Sequence, residues 1–315
     1  MRGPRIPREL GSRLYDTIPR DDKVASRAME FTGERFILGH GSSELFHEHV
    51  HRYMVASALV QGRRVVDLGS GSGYGCQFML RDGASSCVGV DIDPEALAYA
   101  EENHGDPRIT FVRASADDTG LPAACADIIT CFELIEHVAE PQPVAREVAR
   151  LLAPGGIALI STPETVESHK ITHADNPFHL SEMTEDEFRS VVGACFSHVI
   201  VFGQRSVVGS WIGPTNESPW QPMVTTEGSA SAVAPTVLIA ACSNEPLPQD
   251  LFGFGSLFIA SHEQGQQDRQ DLAAQTAGAR LQLASYESDI RELAAALATA
   301  DREIRRLRSV AGEAG

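Results

Sequence analysis

The sequence predicts an α/β fold, a mostly parallel, doubly wound sheet with helices on both faces. Three observations carry this. A buried strand runs into a glycine-rich turn at Arg64-Val65-Val66-Asp67-Leu68-Gly69-Ser70-Gly71-Ser72-Gly73-Tyr74-Gly75. A second apolar strand, Ser86-Cys87-Val88-Gly89-Val90-Asp91, ends in an acid about twenty residues beyond that turn. Strand and helix then alternate at a regular period as far as Ser161, the pattern of parallel strands joined by crossover helices.

A chain of 315 residues holds one such domain with appendages, and hardly two large ones. The net charge of −17 argues against a protein that grips nucleic acid through its phosphates, which needs a clustered basic face. Six cysteines lie scattered without a C-x-x-C pair, mostly in apolar surroundings, as reduced core thiols of a cytoplasmic protein do. No apolar run reaches the length of a membrane span, and the first residues lack a signal-peptide core.

Taken in order, residues 1–30 are rich in Arg, Pro and Asp without apolar periodicity and read as a mobile lead-in. Ordered structure begins near Glu30, and Glu44–Val60 reads as a helix with a stripe at Leu45, Val50, Tyr53, Met54, Ser57 and Ala58. His47, His49 and His51 alternate along it, so they cannot share one helical face as a metal site. His47 and His51 have i, i+4 spacing, for which a surface or capping role is the simpler reading. Arg52 and Tyr53, just before the first strand, are candidates to reach a ligand carboxylate; a solvated arginine and a core tyrosine are the alternative.

In the glycine turn the near-absence of side chains lets a ligand approach the backbone, and a helix N-terminus beyond it favours negative charge such as an amino-acid carboxylate. Asp91 stands where doubly wound folds bind ribose hydroxyls, while Asp93 and Pro94 read as the cap and first turn of the next helix. A third strand, Arg108–Arg113, leads into Ala114-Ser115-Ala116-Asp117-Asp118; a fourth, Ala126–Phe132, leads into Glu133-Leu134-Ile135-Glu136-His137. Arg146–Leu152 reads as a helix that stops at Ala153-Pro154-Gly155-Gly156, and Ile157–Ser161 as a fifth strand.

Over about residues 30–245 the chain resembles the class I S-adenosylmethionine-dependent methyltransferases. The resemblance rests on Asp67-x-Gly69-x-Gly71-x-Gly73, on Asp91, and on Leu151-Leu152-Ala153-Pro154-Gly155-Gly156. It implies a Rossmann-like, seven-stranded sheet whose last two strands, His198–Phe202 and Val237–Cys242, form an antiparallel hairpin. It also implies a cofactor site for S-adenosylmethionine at Asp67, Gly69, Ser70, Gly71, Gly73, Asp91, Ile92, Ser115, Ala116 and Phe132, to which Arg52 is added as the carboxylate candidate. Many relatives carry an acid before the small residue at the position of Ser115-Ala116, so the adenine contact passes here to a hydroxyl or to Asp117.

Glu133-x-x-Glu136-His137 resembles the ubiquinone-biosynthesis O-methyltransferases and, more distantly, the small-RNA 2′-O-methyltransferases. That resemblance implies a divalent cation at Glu133, Glu136 and His137, with His179 as a further ligand. A helix starting there would set both carboxylates and the imidazole on one face, and such a set with open positions suits Mg²⁺, Mn²⁺ or Fe²⁺. A cluster of acids at a helix start beside a hydrogen-bonded histidine is the alternative. His137 and His179 are also the candidate general bases, His179 alone being the simpler version without a metal.

Phe31-Thr32-Gly33-Glu34-Arg35-Phe36, His51-Arg52-Tyr53 and Asn176-Pro177-Phe178-His179 resemble methyltransferases of glycan and glycosylated natural-product pathways, which turns the expected acceptor toward a sugar hydroxyl. Residues 205–235 are too long for a hairpin turn and read as a lid or insertion of a domain spanning 31–258. In the tail, 259–315, apolar residues at Leu283, Tyr286, Ile290, Leu293, Leu297, Ala300, Ile304 and Leu307 alternate steps of three and four. That is a heptad seam and predicts a coiled coil, joining a homodimer or a helical partner; a single amphipathic helix folding back on the catalytic domain is the alternative. The expected activity is O-methylation of a sugar, glycan or glycosylated small molecule. A phenol or quinone precursor is the nearest rival acceptor. A nicotinamide-dependent dehydrogenase is disfavoured by the form of the glycine turn, and a scaffold assembling through the coiled coil by the intact turn and Asp91.

Overall fold

The computed structural model describes residues 43–166, 178–206 and 234–248. The lead-in, the Phe31–Phe36 motif, Asn176-Pro177, most of the lid segment and the coiled-coil tail lie outside these residues.

Helix α1 (Ser43–Ser57) precedes β1 (Arg64–Leu68), α2 (Tyr74–Arg81), β2 (Ser86–Asp91), α3 (Pro94–His104), β3 (Ile109–Arg113) and β4 (Ala126–Cys131). Then follow a 3₁₀ turn (Ile135–His137), α4 (Pro141–Leu151), β5 (Leu152–Pro163), α5 (Glu185–Gly193), β6 (His198–Gln204) and β7 (Val237–Ser243). The strands form one seven-stranded sheet in the order β3-β2-β1-β4-β5-β7-β6. The pairs from β3 to β5 are parallel, and β7 runs antiparallel to both β5 and β6. This is the Rossmann-like architecture expected, with the terminal hairpin in place.

Strands β1 and β4 lie at the centre and read as near-continuous apolar runs because both their faces are covered. On one face Val66, Leu68, Ile129 and Ile160 pack against Val144 and Val148 of α4 and Phe188 and Val192 of α5. On the other, Val65, Ile128 and Leu159 pack against Met79 and Leu80 of α2 and Tyr53, Ala56 and Val60 of the α1 region. The chain winds outward from β1 to β3, then returns to place β4 on the other side of β1. Ligands of doubly wound sheets bind outside the carboxyl ends of the strands at such a reversal.

Three boundaries differ from expectation. Helix α4 begins at Pro141, five residues before the expected Arg146, because proline suits a first helical turn, where its missing N–H is not needed. Strand β5 begins at Leu152: the Ala-Pro-Gly-Gly run is a bulge inside it, since Ala126 pairs with Leu152 while Ile128 pairs with Ile157, and Gly155 takes φ 70°. Helix α5 was not expected, although Thr184 and Glu187 form a reciprocal capping box that marks its start.

All six cysteines are free thiols. Among the described residues no helix is long and apolar enough to cross a membrane.

Candidate functional site

The glycine turn joins β1 to α2 at the sheet's reversal point. Gly69, Gly71 and Gly73 have φ of 73°, 51° and 81°, a region a side chain occupies only at a cost of about 1–2 kcal/mol. At Gly71 nothing lies within 4 Å of where a Cβ would be, so the turn is open there toward a ligand. Its N–H groups are not. Gly69 and Ser70 donate to Val90 O (2.8 and 3.0 Å), Gly73 to Ser70 O (2.9 Å), and Gly71 to the Asp91 carboxylate (2.8 Å). The turn thus supplies a close approach, while the N–H groups of Gly69, Ser70, Gly71 and Gly73 are used within the protein.

The positive group facing this region is Arg52 on α1. Its side chain is only 1% exposed, which removes the solvated-arginine alternative. Nη1 donates to Gln204 Oε1 (2.8 Å), and the Gln204 amide is fixed in turn by donating to Glu48 O (3.0 Å). Nη2 stands 3.9 Å from Glu133 Oε2, beyond hydrogen-bond distance, and neither Nη2 nor Nε has a hydrogen-bond partner among the described residues. A buried donor left without an acceptor costs about 1–3 kcal/mol, which a ligand carboxylate would relieve. The same α1 carries the three histidines. His49 Nδ1 meets Tyr74 Oη at 3.2 Å, and burial with the nearby Arg52 charge lowers its pKa well below the usual value; the same two causes bring His51 to about 4. All three are part-buried.

Asp67 lies beneath the turn at 0% exposure. Its carboxylate accepts from Tyr53 Oη (3.1 Å to each oxygen), Thr130 Oγ1 (2.6 Å) and Cys76 Sγ (3.7 Å). Burial outweighs these bonds and pushes its pKa up to about 6. All its partners are protein groups, so Asp67 ties α1, α2 and β4 to the turn from behind. Phe132 is buried in the same place, its ring edge-on to Tyr53 at 5.1 Å between centroids.

Asp91 accepts from Gly71 N–H and Asp93 N–H (3.0 Å), which fixes the carboxylate at the tip of β2. The next residue, Ile92, is 66% exposed, an apolar side chain held out beside the acid. Arg113 Nε donates to the Ile92 carbonyl (3.2 Å). The loop after β3 starts alongside, with Ala114 N–H on Asp91 O (3.1 Å); in it the Ser115 hydroxyl donates to the Asp117 carboxylate. The two adenine candidates left open by the sequence thus act as one hydrogen-bonded unit.

After β4 the expected helix over Glu133–His137 does not form. Glu133 takes φ 49°, and only a three-residue 3₁₀ turn follows. Glu133 consequently stays outside the cluster that the other candidate ligands form: its carboxylate accepts from the Ser161 hydroxyl (2.6 Å) and faces Arg52. Glu136, His137 and His179 do come together, one ligand atom of each lying within 4.8 Å of the others. Glu136 is 1% exposed, its Oε2 lacks a hydrogen-bond partner among the described residues, and burial, then the Glu133 charge, raises its carboxyl well above the usual range. The imidazoles meet edge to face at 5.1 Å. His137 Nδ1 faces the Phe178 carbonyl (3.1 Å), an acceptor only, so Nδ1 carries the proton and Nε2 turns to Glu136 Oε1 at 4.0 Å. His179 Nδ1 meets Glu182 Oε1 at 2.8 Å.

An orphaned buried carboxylate oxygen beside two imidazoles with fixed Nδ1 atoms fits a divalent cation, through one carboxylate and two nitrogens. Glu133 is not among them. The softer set leans toward Mn²⁺, Fe²⁺ or Zn²⁺ more than toward Mg²⁺.

Comparison with known proteins bears on the domain that carries the glycine turn. Residues 66–160, from β1 into β5, match a family model described as a methyltransferase domain. A protein of Mycolicibacterium smegmatis named as a probable S-adenosylmethionine-dependent methyltransferase is 30% identical over 173 residues, covering 54% of this chain and 66% of its own. The chain carries a methyltransferase domain and is similar to S-adenosylmethionine-dependent methyltransferases. A similarly named protein of Mycobacterium tuberculosis is 29% identical over 203 residues, 64% of this chain and 72% of its own length. A ubiquinone biosynthesis O-methyltransferase of Paracidovorax citrulli is 37% identical over 109 residues, 33% of this chain and 45% of that protein. The match thus spans just under two thirds of the first relative and less than half of the third.

The family's cofactor fits the open turn at Gly71, the fixed Asp91, the exposed Ile92 and the orphaned Arg52 donors. Sequence reasoning missed Gln204, which aims Arg52 from β6, and Glu182, which holds His179. Neither has a local pattern; each works through a partner remote in sequence or beyond a turn.

Proposed function

We propose that this methyltransferase transfers a methyl group from S-adenosylmethionine to a hydroxyl of a sugar, glycan or glycosylated small molecule, with a divalent cation at Glu136, His137 and His179. The observation that carries the reading is the convergence of a buried carboxylate and two oriented imidazoles at the carboxyl end of β4, beside the glycine turn.

When bound, the cofactor supplies a methyl on a sulfonium, a good leaving group for in-line displacement, so the chain's main task is alignment. Arg52 Nε and Nη2 take the carboxylate of its amino-acid end. Asp91 accepts from the ribose hydroxyls, Ile92 covers one face of the base, and Ser115, Ala116 and Asp117 meet its edge. An alcohol is a poor nucleophile at neutral pH, and a cation held by Glu136, His137 and His179 would supply the Lewis acidity that lowers its pKa. Glu182 accepting from Nδ1 leaves His179 Nε2 to hold that cation or, without one, to take the acceptor's proton.

A sugar acceptor is supported by the short motifs around Phe31–Phe36, His51–Tyr53 and Asn176–His179. The similarity to the ubiquinone biosynthesis enzyme supports a phenol as the second acceptor class. Incubating the full chain with methyl-labelled cofactor and matched panels of glycosides and phenols separates them. Label on a hydroxyl of a glycoside is the expected result; label confined to phenols selects the second reading, and label on nitrogen or carbon alone overturns both.

A further inference from the structure

Between β3 and β4 the loop from Ala114 to Cys125 behaves as two halves. Ser115, Asp117 and Asp118 are exposed, Ser115 bridging Asp118 in a short antiparallel turn. The second half is gripped from α4. Thr119, a polar loop residue, is only 4% exposed. Its N–H and its hydroxyl both donate to Glu147 Oε1 (3.0 and 2.5 Å), and the same hydroxyl accepts from Leu121 N–H (3.2 Å). Arg150 donates to both Glu147 oxygens (2.6 and 2.7 Å) and to Leu121 O (2.8 Å), and its own carbonyl accepts from Ala124 N–H (3.0 Å).

Burying a carboxylate costs several kcal/mol unless its lone pairs are filled. Here the filling donors come from one helix and from one loop, so that energy is spent on their mutual position. The loop is held at three points, Thr119, Leu121 and Ala124, directly behind the Ser115–Asp118 turn. Its start is pinned at the other end by Ala114 on Asp91.

We propose that Thr119, Glu147 and Arg150 are positioning residues that set the Ser115–Asp118 turn and thereby the enzyme's discrimination for adenine over other purines. The proposal rests on the cofactor reading above. Thr119 touches no ligand in it; the hydroxyl acts by holding the turn that does. Thr119→Val keeps the shape and removes the hydroxyl that joins Glu147 to Leu121, whereas Thr119→Ser keeps the hydroxyl.

The test is calorimetric titration of the full chain and both variants with S-adenosylhomocysteine and with its inosine counterpart, which carries oxygen in place of the 6-amino group. The native chain is expected to prefer the adenine compound. In Thr119→Val that compound binds about tenfold more weakly, the size of one lost hydrogen bond, and the preference shrinks; Thr119→Ser restores both. Unchanged binding in Thr119→Val, or an equal loss for both compounds, overturns the clamp. No binding of S-adenosylhomocysteine by the native chain overturns the cofactor reading instead. Should Thr119→Val not fold, Glu147→Gln is read in the same way, and an unchanged preference there overturns the clamp equally.

Discussion

Arg52→Met is expected to weaken binding of S-adenosylhomocysteine about a hundredfold while leaving the ligand-free melting temperature nearly where it was. The two effects separate because the guanidinium is poorly used without ligand. Among the described residues Nε and Nη2 are buried without acceptors, and Nη1 makes a hydrogen bond to Gln204. Methionine refills the volume of the stem, and losing one hydrogen bond while removing two orphaned donors nets within about 1 kcal/mol. A charge-assisted, bidentate carboxylate contact is stronger than a neutral one, and its loss accounts for the affinity change. Calorimetry and thermal melts on the same samples check both halves. A melting temperature that collapses together with the affinity would make Arg52 a structural residue linking α1 to β6.

Glu136→Gln is expected to reduce methyl transfer about a hundredfold and to abolish retention of a divalent ion, in parallel with chelation of the native enzyme by EDTA. Glutamine keeps the volume and hydrogen-bonding capacity of a side chain enclosed by β4 and the 3₁₀ turn, so the fold is retained. Glu133→Gln separates the two carboxylates. Glu133 hydrogen-bonds Ser161 and faces Arg52, so its replacement leaves metal content unchanged and acts on cofactor affinity. Metal analysis and initial rates measure these effects. Full activity after thorough chelation leaves His179 as a base without a metal.

The sheet was legible because its central strands are short apolar runs bounded by turn residues. Arg64–Leu68 falls within the stretch read as a strand running into a turn, Ser86–Asp91 is read to the residue, and the terminal hairpin to within two. Periodicity says little about residues whose state depends on distant partners. Arginine is rarely buried, yet Arg52 is, because Gln204 from the far edge of the sheet receives it. Glu133 shows a second limit: nothing in Cys131-Phe132-Glu133-Leu134 announces a left-handed glutamate, so helical spacing wrongly put it on one face with Glu136 and His137. The third case is different in kind. Thr184-x-x-Glu187 is a start signal with a known mechanism, a capping box that marks the start of α5 in the sequence itself. Glu147 and Arg150 are spaced as an ordinary exposed pair on a helix; their loop partner Thr119 lies 28 residues earlier.

The central claim is that the turn at Gly69–Gly73, Asp91 and Arg52 hold the methyl donor. Titrating the full chain with S-adenosylhomocysteine and, separately, with NAD tests it most directly. The site described here predicts saturable heat at one equivalent for S-adenosylhomocysteine and none for NAD. Absence of heat with S-adenosylhomocysteine, or equal binding of both, would contradict it.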